Sequence, residues 1–290
     1  MDGVPYHLTG LLPMPSFTTP LALVVFVAGV VAGGLGGLLG LGGGVFLVPF
    51  LNLALGFPIR SAAAISLSTV IATSSSVTAG RVGKQLINLR FGMVLEVATV
   101  AGSLFGGITA QVFAESTLQR IFGAVAIVTA LVMLQRLNTR NVILDPAADP
   151  GRLGGRFHED ESGGTVTYRI KRLPVALCAS FVAGNVSSLL GLGGGIIKVP
   201  VLNAWCGMPM RASAATSAFM IGVTATGGAI IYYGRGDLSP LVAAPAVLGV
   251  QLGSWWGLRL AQRASARWLK VLMAALLVVV AGLMVVRSSR

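Results

Sequence analysis

The sequence predicts an all-α polytopic membrane protein. It has two homologous repeats in inverted orientation, with broken helices at two GLGGG motifs. Three observations lead there: long uncharged runs, an internal duplication and an uneven placement of basic residues. Of the 290 residues, 54% are hydrophobic and only 10% are charged, against about 25% charged in soluble globular chains. Mean hydropathy is +0.84. No Asp, Glu, Lys or Arg occurs from Gly3 to Ile59, nor in Ser61–Gly80, Leu173–Ile197, Ala212–Gly234 or Leu238–Leu258. Each run accommodates the roughly 20 apolar residues that cross a bilayer as a helix. This composition excludes a disordered chain, a collagen-like chain and an ordinary cytosolic enzyme.

The duplication appears at an offset of 151 residues, where fourteen of 23 positions agree between Leu38–Arg60, LLGLGGGVFLVPFLNLALGFPIR, and Leu189–Arg211, LLGLGGGIIKVPVLNAWCGMPMR. The register continues without a gap: Gly83 falls on Gly234, Gly102-Ser103 on Gly253-Ser254, Ala110 on Ala261 and Leu118 on Leu269. The chain therefore divides into a first transmembrane repeat over 20–137, a hydrophilic cytoplasmic linker over 138–172 and a second transmembrane repeat over 173–287. Internal repeats of this kind are characteristic of secondary transporters, with the substrate between the halves near the midplane.

In chain order, the first apolar run, about Leu21–Leu39, is expected to remain as a membrane span. No base precedes Arg60, so the positive region of a cleavable leader is missing. Further spans follow at about 61–80, 91–113 and 118–137. Between the first two lies Val45–Gly56, too short for an ordinary span and interrupted by Pro49, so it cannot be one regular helix. It either crosses as a broken helix or turns back. The linker is rich in Gly, Pro and charge, and predicts a solvated connection with one short strand at Thr165–Ile170.

Charge separates the two topologies. If the short segment crosses and the N-terminus is outside, 15 bases fall inside and 5 outside; if it is re-entrant, the split is 13 to 7. The positive-inside rule favours crossing, which gives each half an odd number of spans and inverts one half relative to the other. This rule also accounts for the 21 Lys+Arg against 9 Asp+Glu. No basic patch interleaves with aromatics, so a nucleic-acid partner is not expected.

The glycine motifs carry the candidate chemistry. Gly42, Gly43 and Gly44, with Gly193, Gly194 and Gly195, break their helices. Broken backbone within a bilayer is tolerated only where protein or a water-filled cavity satisfies it, and the freed N–H groups suit an anion. Gly33 and Gly37 read instead as a helix-packing face. Neither a dinucleotide fingerprint nor a Walker motif is present, and no cofactor or metal is expected. His7 and His158 lie outside the apolar runs, and Cys178 and Cys206 have no zinc spacing.

Lys198 interrupts the second motif where the first has Leu47. A membrane-buried Lys costs about 2.5–3.5 kcal/mol on insertion scales. It either stabilises an anionic substrate or pairs with Glu96, the only carboxylate in an apolar segment. Glu96 is accordingly a pair partner, a proton carrier or a residue reaching the interface. Asn52 and Asn203 coincide across the repeat and either donate to a bound oxyanion or cap the broken helix. Ser66 and Ser217 also coincide, on hydroxyl-rich spans, and either line a polar path or bond back to helix carbonyls. Arg60 and Arg211 read as interface anchors, and Cys206 as a small apolar filler.

At GLGGG followed by V-P and L-N, then G-x-P-x-R, in both repeats, the chain resembles the TauE/SafE family of sulfite and organosulfonate exporters. The hydroxyl-rich span that follows matches as well. The resemblance covers nearly all of the chain outside the termini and linker. It implies a bacterial or archaeal plasma-membrane carrier for small sulfur-containing anions. The expected activity is export by alternating access, not enzymatic catalysis. A passive anion channel and, from another class, a membrane-embedded enzyme or receptor are the alternatives. The expected partners are a small anionic substrate and the lipid bilayer.

Overall fold

The computed structural model describes residues 18–39, 43–79, 86–135, 149–159, 164–261 and 266–288. Gly42 and residues 138–148 and 160–163 of the linker lie outside these. The first half holds α1 (Thr19–Leu39), α2 (Gly44–Pro49) continued by a π-helical turn (Phe50–Ala54), α3 (Ile59–Ala79), α4 (Leu89–Val112) and α5 (Glu115–Gln135). A hairpin of β1 (Gly155–Glu159) and β2 (Gly164–Tyr168) follows. The second half holds α6 (Leu173–Leu190), α7 (Gly195–Ala204), α8 (Met210–Gly234), α9 (Pro240–Ala261) and α10 (Ala266–Ser288). Among the described residues, five helices are long and apolar enough to span a membrane: Thr19–Gly37, Ile59–Ala79, Leu89–Val112, Leu173–Leu190 and Met210–Gly234. The protein is a mostly helical multi-pass membrane protein, and the hairpin departs from the all-α expectation.

Local chemistry sets the helix ends. Asn88 caps α4 by accepting the Phe91 N–H, and Pro174 occupies the first turn of α6. Glu115 serves two N-termini at once. It lies in the first turn of α5, and its Oε1 accepts the Ile59 N–H at the start of α3, 2.9 Å away. Pro49 lacks the N–H that would continue α2, and the hydrogen-bond register widens beyond it into the π-helical turn.

Helices from opposite halves pack closely through glycine. A Cβ at Gly33 would lie 2.3 Å from the Val250 carbonyl oxygen, and one at Gly37 would lie 2.7 Å from that of Ser254, so α1 and α9 touch backbone to backbone. On the other side of the bundle, a Cβ at Gly102 would lie 2.0 Å from the Phe181 oxygen and one at Gly106 2.1 Å from that of Asn185, joining α4 to α6. In a bilayer such close approach replaces the hydrophobic drive that binds helices in water. The α3–α8 pair lies between, crossing antiparallel: Leu67 is near Gly228, and Ser74 is near Gly222. Large apolar side chains such as Val97, Val112, Leu248 and Trp256 face outward, as lipid contact requires.

These contacts fix how the chain runs. Arg60, at the start of α3, donates to the carbonyls of Ala110, Gln111 and Phe113 at the end of α4. Gln111 in turn donates to Asp237, just before α9. Those ends therefore share one side of the bundle, and α1, parallel to α9, starts there too. Helix α1 thus ends on the opposite side, while Ile59 is back at the Arg60 side. The chain between Leu39 and Ile59 returns across the bundle through α2 and its π-helical turn.

The linker differs from the sequence expectation. The sequence predicts one strand in a solvated connection; two strands form an antiparallel hairpin, Gly155 opposite Tyr168 through Glu159 opposite Gly164. Its inward side chains, Phe157, Val166 and Tyr168, are buried against Phe91, Ala176, Leu202 and Met208. Asn88 donates to the Leu153 carbonyl and to the Tyr168 hydroxyl, tying the hairpin to the start of α4. Burial raises the Tyr168 hydroxyl above its ordinary pKa.

Replacing Gly33 by Val places atoms where the Val250 backbone already is, and overpacking of this kind costs about 1–3 kcal/mol or more. Gly282→Ala meets nothing within 4 Å. Thermal unfolding in detergent should show a lowered midpoint for Gly33→Val and none for Gly282→Ala; equal midpoints would refute the packing assignment.

Candidate functional site

The described end of the first GLGGG motif, Gly43-Gly44, meets the second motif inside the bundle. Helix α6 ends at Leu190; Gly191, Gly193 and Gly194 then all take left-handed backbone, φ +73° each, before α7 begins at Gly195. L side chains rarely adopt that region, which explains the glycines. In the first half, Gly43 caps α2 with ordinary helical backbone, φ −70°. A Cβ at Gly44 would lie 2.7 Å from the Gly191 carbonyl oxygen and 2.4 Å from Ser66 Oγ. Ser66 donates to that same Gly191 carbonyl at 2.6 Å, linking the halves.

Both broken segments close with one turn. The Phe57 N–H reaches the Leu51 carbonyl at 3.0 Å, and at the equivalent place the Met208 N–H reaches Leu202 at 3.1 Å. Asn52 Nδ2 donates to the Phe57 carbonyl at 2.8 Å, and Asn203 Nδ2 to that of Met208 at 2.9 Å. Gly56 and Gly207 supply the positive φ, +71° and +76°. The L-N and G-x-P elements of the repeat are thus parts of a turn. The Asn52 and Asn203 amides make the contacts that the capping reading requires. Asn52 is further engaged by accepting from Gln119 Nε2 at 3.1 Å.

Ser66 and Ser217, equivalent in sequence, differ in surroundings. Ser66 is bonded to Gly191, whereas Ser217 Oγ is buried without a partner. It sits 3.6 Å from where a Gly195 Cβ would be, beside the N-terminus of α7. Ser187 Oγ, also buried and unpartnered, is 3.3 Å from the corresponding position at Gly194. The first half has Gly36 and Gly37 in place of Ser187 and Ser188, and they line a cavity of about 20 Å³ with Thr73, Ser74 and Ser254. That is room for roughly one water. The sequence analysis overlooks Ser187; the Ser-Ser for Gly-Gly exchange at the 151-residue offset is the signal that marks it.

One turn along α7, Lys198 is buried and joined to Glu96. Its ammonium donates to Thr224 Oγ1 at 2.8 Å and lies 3.9 Å from Glu96 Oε2. The Thr224 hydroxyl is 2.7 Å from Glu96 Oε1 and 2.9 Å from the Met220 carbonyl, so its one proton has two acceptors. Lys198, on α7, thus connects to α4 and α8 through a single threonine. Ser103 on α4 also donates to the Thr224 carbonyl at 2.6 Å. The sequence raised the Lys198–Glu96 pairing as one possibility but gave no sign of the threonine between them. Gly42, the remaining candidate, lies outside the described residues.

Arg60 closes the end of α4, where a cation also suits the helix dipole. Cys206 is fully buried in the apolar cluster beneath the hairpin. Burial also raises the carboxyl of Asp237 above its usual range, against the Gln111 hydrogen bond and the nearby Arg60 and Arg235.

Comparison with known proteins places this architecture. A family model described as sulfite exporter TauE/SafE matches residues 25–284. The probable membrane transporter protein YunE of Bacillus subtilis is 25% identical over 265 residues, covering 89% of this chain and 95% of its own. The probable membrane transporter protein MJ0441 of Methanocaldococcus jannaschii is 26% identical over 269 residues, covering 88% and 91%. No solved structure matches the chain.

Removing one member of a buried ion pair costs about 3–5 kcal/mol, because the other charge is stranded. Lys198→Met and Glu96→Leu should each lower the unfolding midpoint strongly, and the double variant by less than the two losses added. Strict additivity in thermal unfolding would show that the two side chains do not interact.

Proposed function

The chain belongs to the TauE/SafE family, and from that premise we propose that it is a secondary transporter for a small sulfur-containing anion. Sulfite, a sulfonate or a related organic anion fits, carried across a bacterial or archaeal plasma membrane and principally exported. One observation supports this most: the two broken segments start beside each other within the bundle, Gly44 against the Gly191 carbonyl. Helix α7 there presents an N-terminus flanked by the unpartnered hydroxyls of Ser187 and Ser217. Free backbone N–H groups and a positive helix end attract oxyanions, and two hydroxyls add donors without charge.

In this reading the anion sits at the N-terminus of α7. Gly193 and Gly194 turn the chain, Gly195 lets Ile221 of α8 pack closely, and Lys198 supplies positive charge from one turn along. The first motif, Gly43 and Gly44 with Ser66, braces the site from the other half. The halves are inverted repeats. Support comes from the return crossing between Leu39 and Ile59, which gives the first half five passes, and from the mirrored pairs α1–α9 and α4–α6. Rocking of one half against the other then gives alternating access.

Purified protein in liposomes loaded with sulfite or methanesulfonate should exchange either isotopically labelled anion, with saturation, and leave chloride untouched. A hydrogen bond to a charged group contributes about 1.5–3 kcal/mol, so Ser187→Ala with Ser217→Ala should raise the half-saturating concentration at least about tenfold. Ser75→Ala, on the exposed part of α3, should not. Exchange of neither sulfur anion would sink the reading, and non-saturating flux would replace a carrier with a channel.

A further inference from the structure

Resting on that reading, we infer that Glu96 is the proton-carrying group of the transport cycle and that the protein moves one proton together with each monovalent anion. The argument begins with charge balance. Lys198 and Glu96 form a neutral pair, their side chains 1% and 11% exposed. An anion arriving one helical turn away, at the N-terminus of α7, leaves one uncompensated negative charge inside the bilayer. Such a charge is costly in a low-dielectric interior. A proton on Glu96 removes it: the carboxyl becomes neutral, and the Lys198 ammonium is matched by the anion instead.

The geometry provides a place for that proton. Glu96 Oε1 is engaged by the Thr224 hydroxyl, while Oε2 has no hydrogen-bond partner. The proton bonds to Oε2 as the anion enters and leaves from it as the anion departs; no other bond changes. Thr224 adjusts without moving, since its hydroxyl proton turns from Oε1 to the Met220 carbonyl, already 2.9 Å away. Glu96 faces no competing charge among the described residues. Lys198 on α7 is the charged group acting on it. On the neighbouring helices, Cys178 of α6 is exposed, while Arg211, Tyr232 and Tyr233 lie near the ends of α8. Tyr168 of the hairpin is bonded to Asn88, and Arg90 is exposed in the first turn of α4.

The stoichiometry follows from asymmetry between the halves. At the positions equivalent to Lys198, Glu96 and Thr224 stand Leu47, Val247 and Thr73. The apparatus exists once, so one proton accompanies each cycle. Transport of a monovalent anion is then electroneutral. Its direction follows the combined anion and proton gradients, so export proceeds where the outward anion gradient exceeds the inward proton gradient, and membrane voltage has no hold on it.

The test uses the full chain in liposomes with labelled methanesulfonate, whose single charge does not change with pH, so any pH response belongs to the protein. Exchange at equal pH and zero voltage establishes transport separately; its absence would defeat the transport reading itself. A pH gradient, acid outside, should then drive uptake, with about tenfold accumulation per pH unit. A potassium–valinomycin voltage should drive none. In Glu96→Gln, checked for folding by thermal unfolding, the pH response should disappear and voltage should become effective. Wild-type flux that follows voltage and ignores pH would overturn the inference, whether or not the variant folds. A pH response that survives in a folded Glu96→Gln would overturn it equally.

Discussion

A bilayer offers no water to a broken helix, so every break must be satisfied from within the protein. The rest of the structure is arranged around two such breaks. Each lies at a GLGGG motif, and the second is stabilised by the opposite half: the Gly191 carbonyl, freed by left-handed backbone, accepts from Ser66 of α3. At their far ends the broken segments close on themselves, through an asparagine amide and a glycine of positive φ. Pairing the halves and breaking the helices are therefore one structural solution.

Much of the frame is visible in the sequence because membrane insertion leaves coarse marks. Uncharged runs place α1, α3, α6, α8 and α9. The offset of 151 residues identifies equivalent positions, among them the turn residues of both broken segments. Spacing alone does not tell what an asparagine bonds to. Asn52 and Asn203 looked equally suited to an oxyanion and to a cap; only the return of the chain at Gly56 and Gly207 puts a carbonyl within reach of each amide. Lys198 and Glu96 are 102 positions apart on the chain. Their meeting depends on how α7 leans against α4 and α8, which no periodicity encodes.

The hairpin was hidden for a different reason. Its strands alternate apolar and polar residues over five positions each, Gly155–Glu159 and Gly164–Tyr168, inside a stretch dominated by Gly, Pro and charge. Averaged over the linker, three buried side chains vanish into a hydrophilic mean. They nevertheless seal the ends of α4, α6 and α7, and among the described residues they have no equivalent in the first half. The hairpin and the Lys198–Glu96 pair are two of the departures from pseudosymmetry. Both departures touch α7, which makes the second broken segment the specialised one.

The crosswise packing of α1 on α9 and α4 on α6 has a consequence for biogenesis. When the ribosome has delivered α1 to α5, the glycine faces of α1 and α4 still lack their partners, because those partners have not been synthesised. Helix α6 arrives soon after and covers α4. Helix α1 waits longer, until α9 emerges. During that interval lipid, or the insertion machinery, must occupy a groove shaped for another helix. The first half is therefore an assembly intermediate and not an autonomous folding unit, and α9 completes a surface that α1 presented much earlier in synthesis.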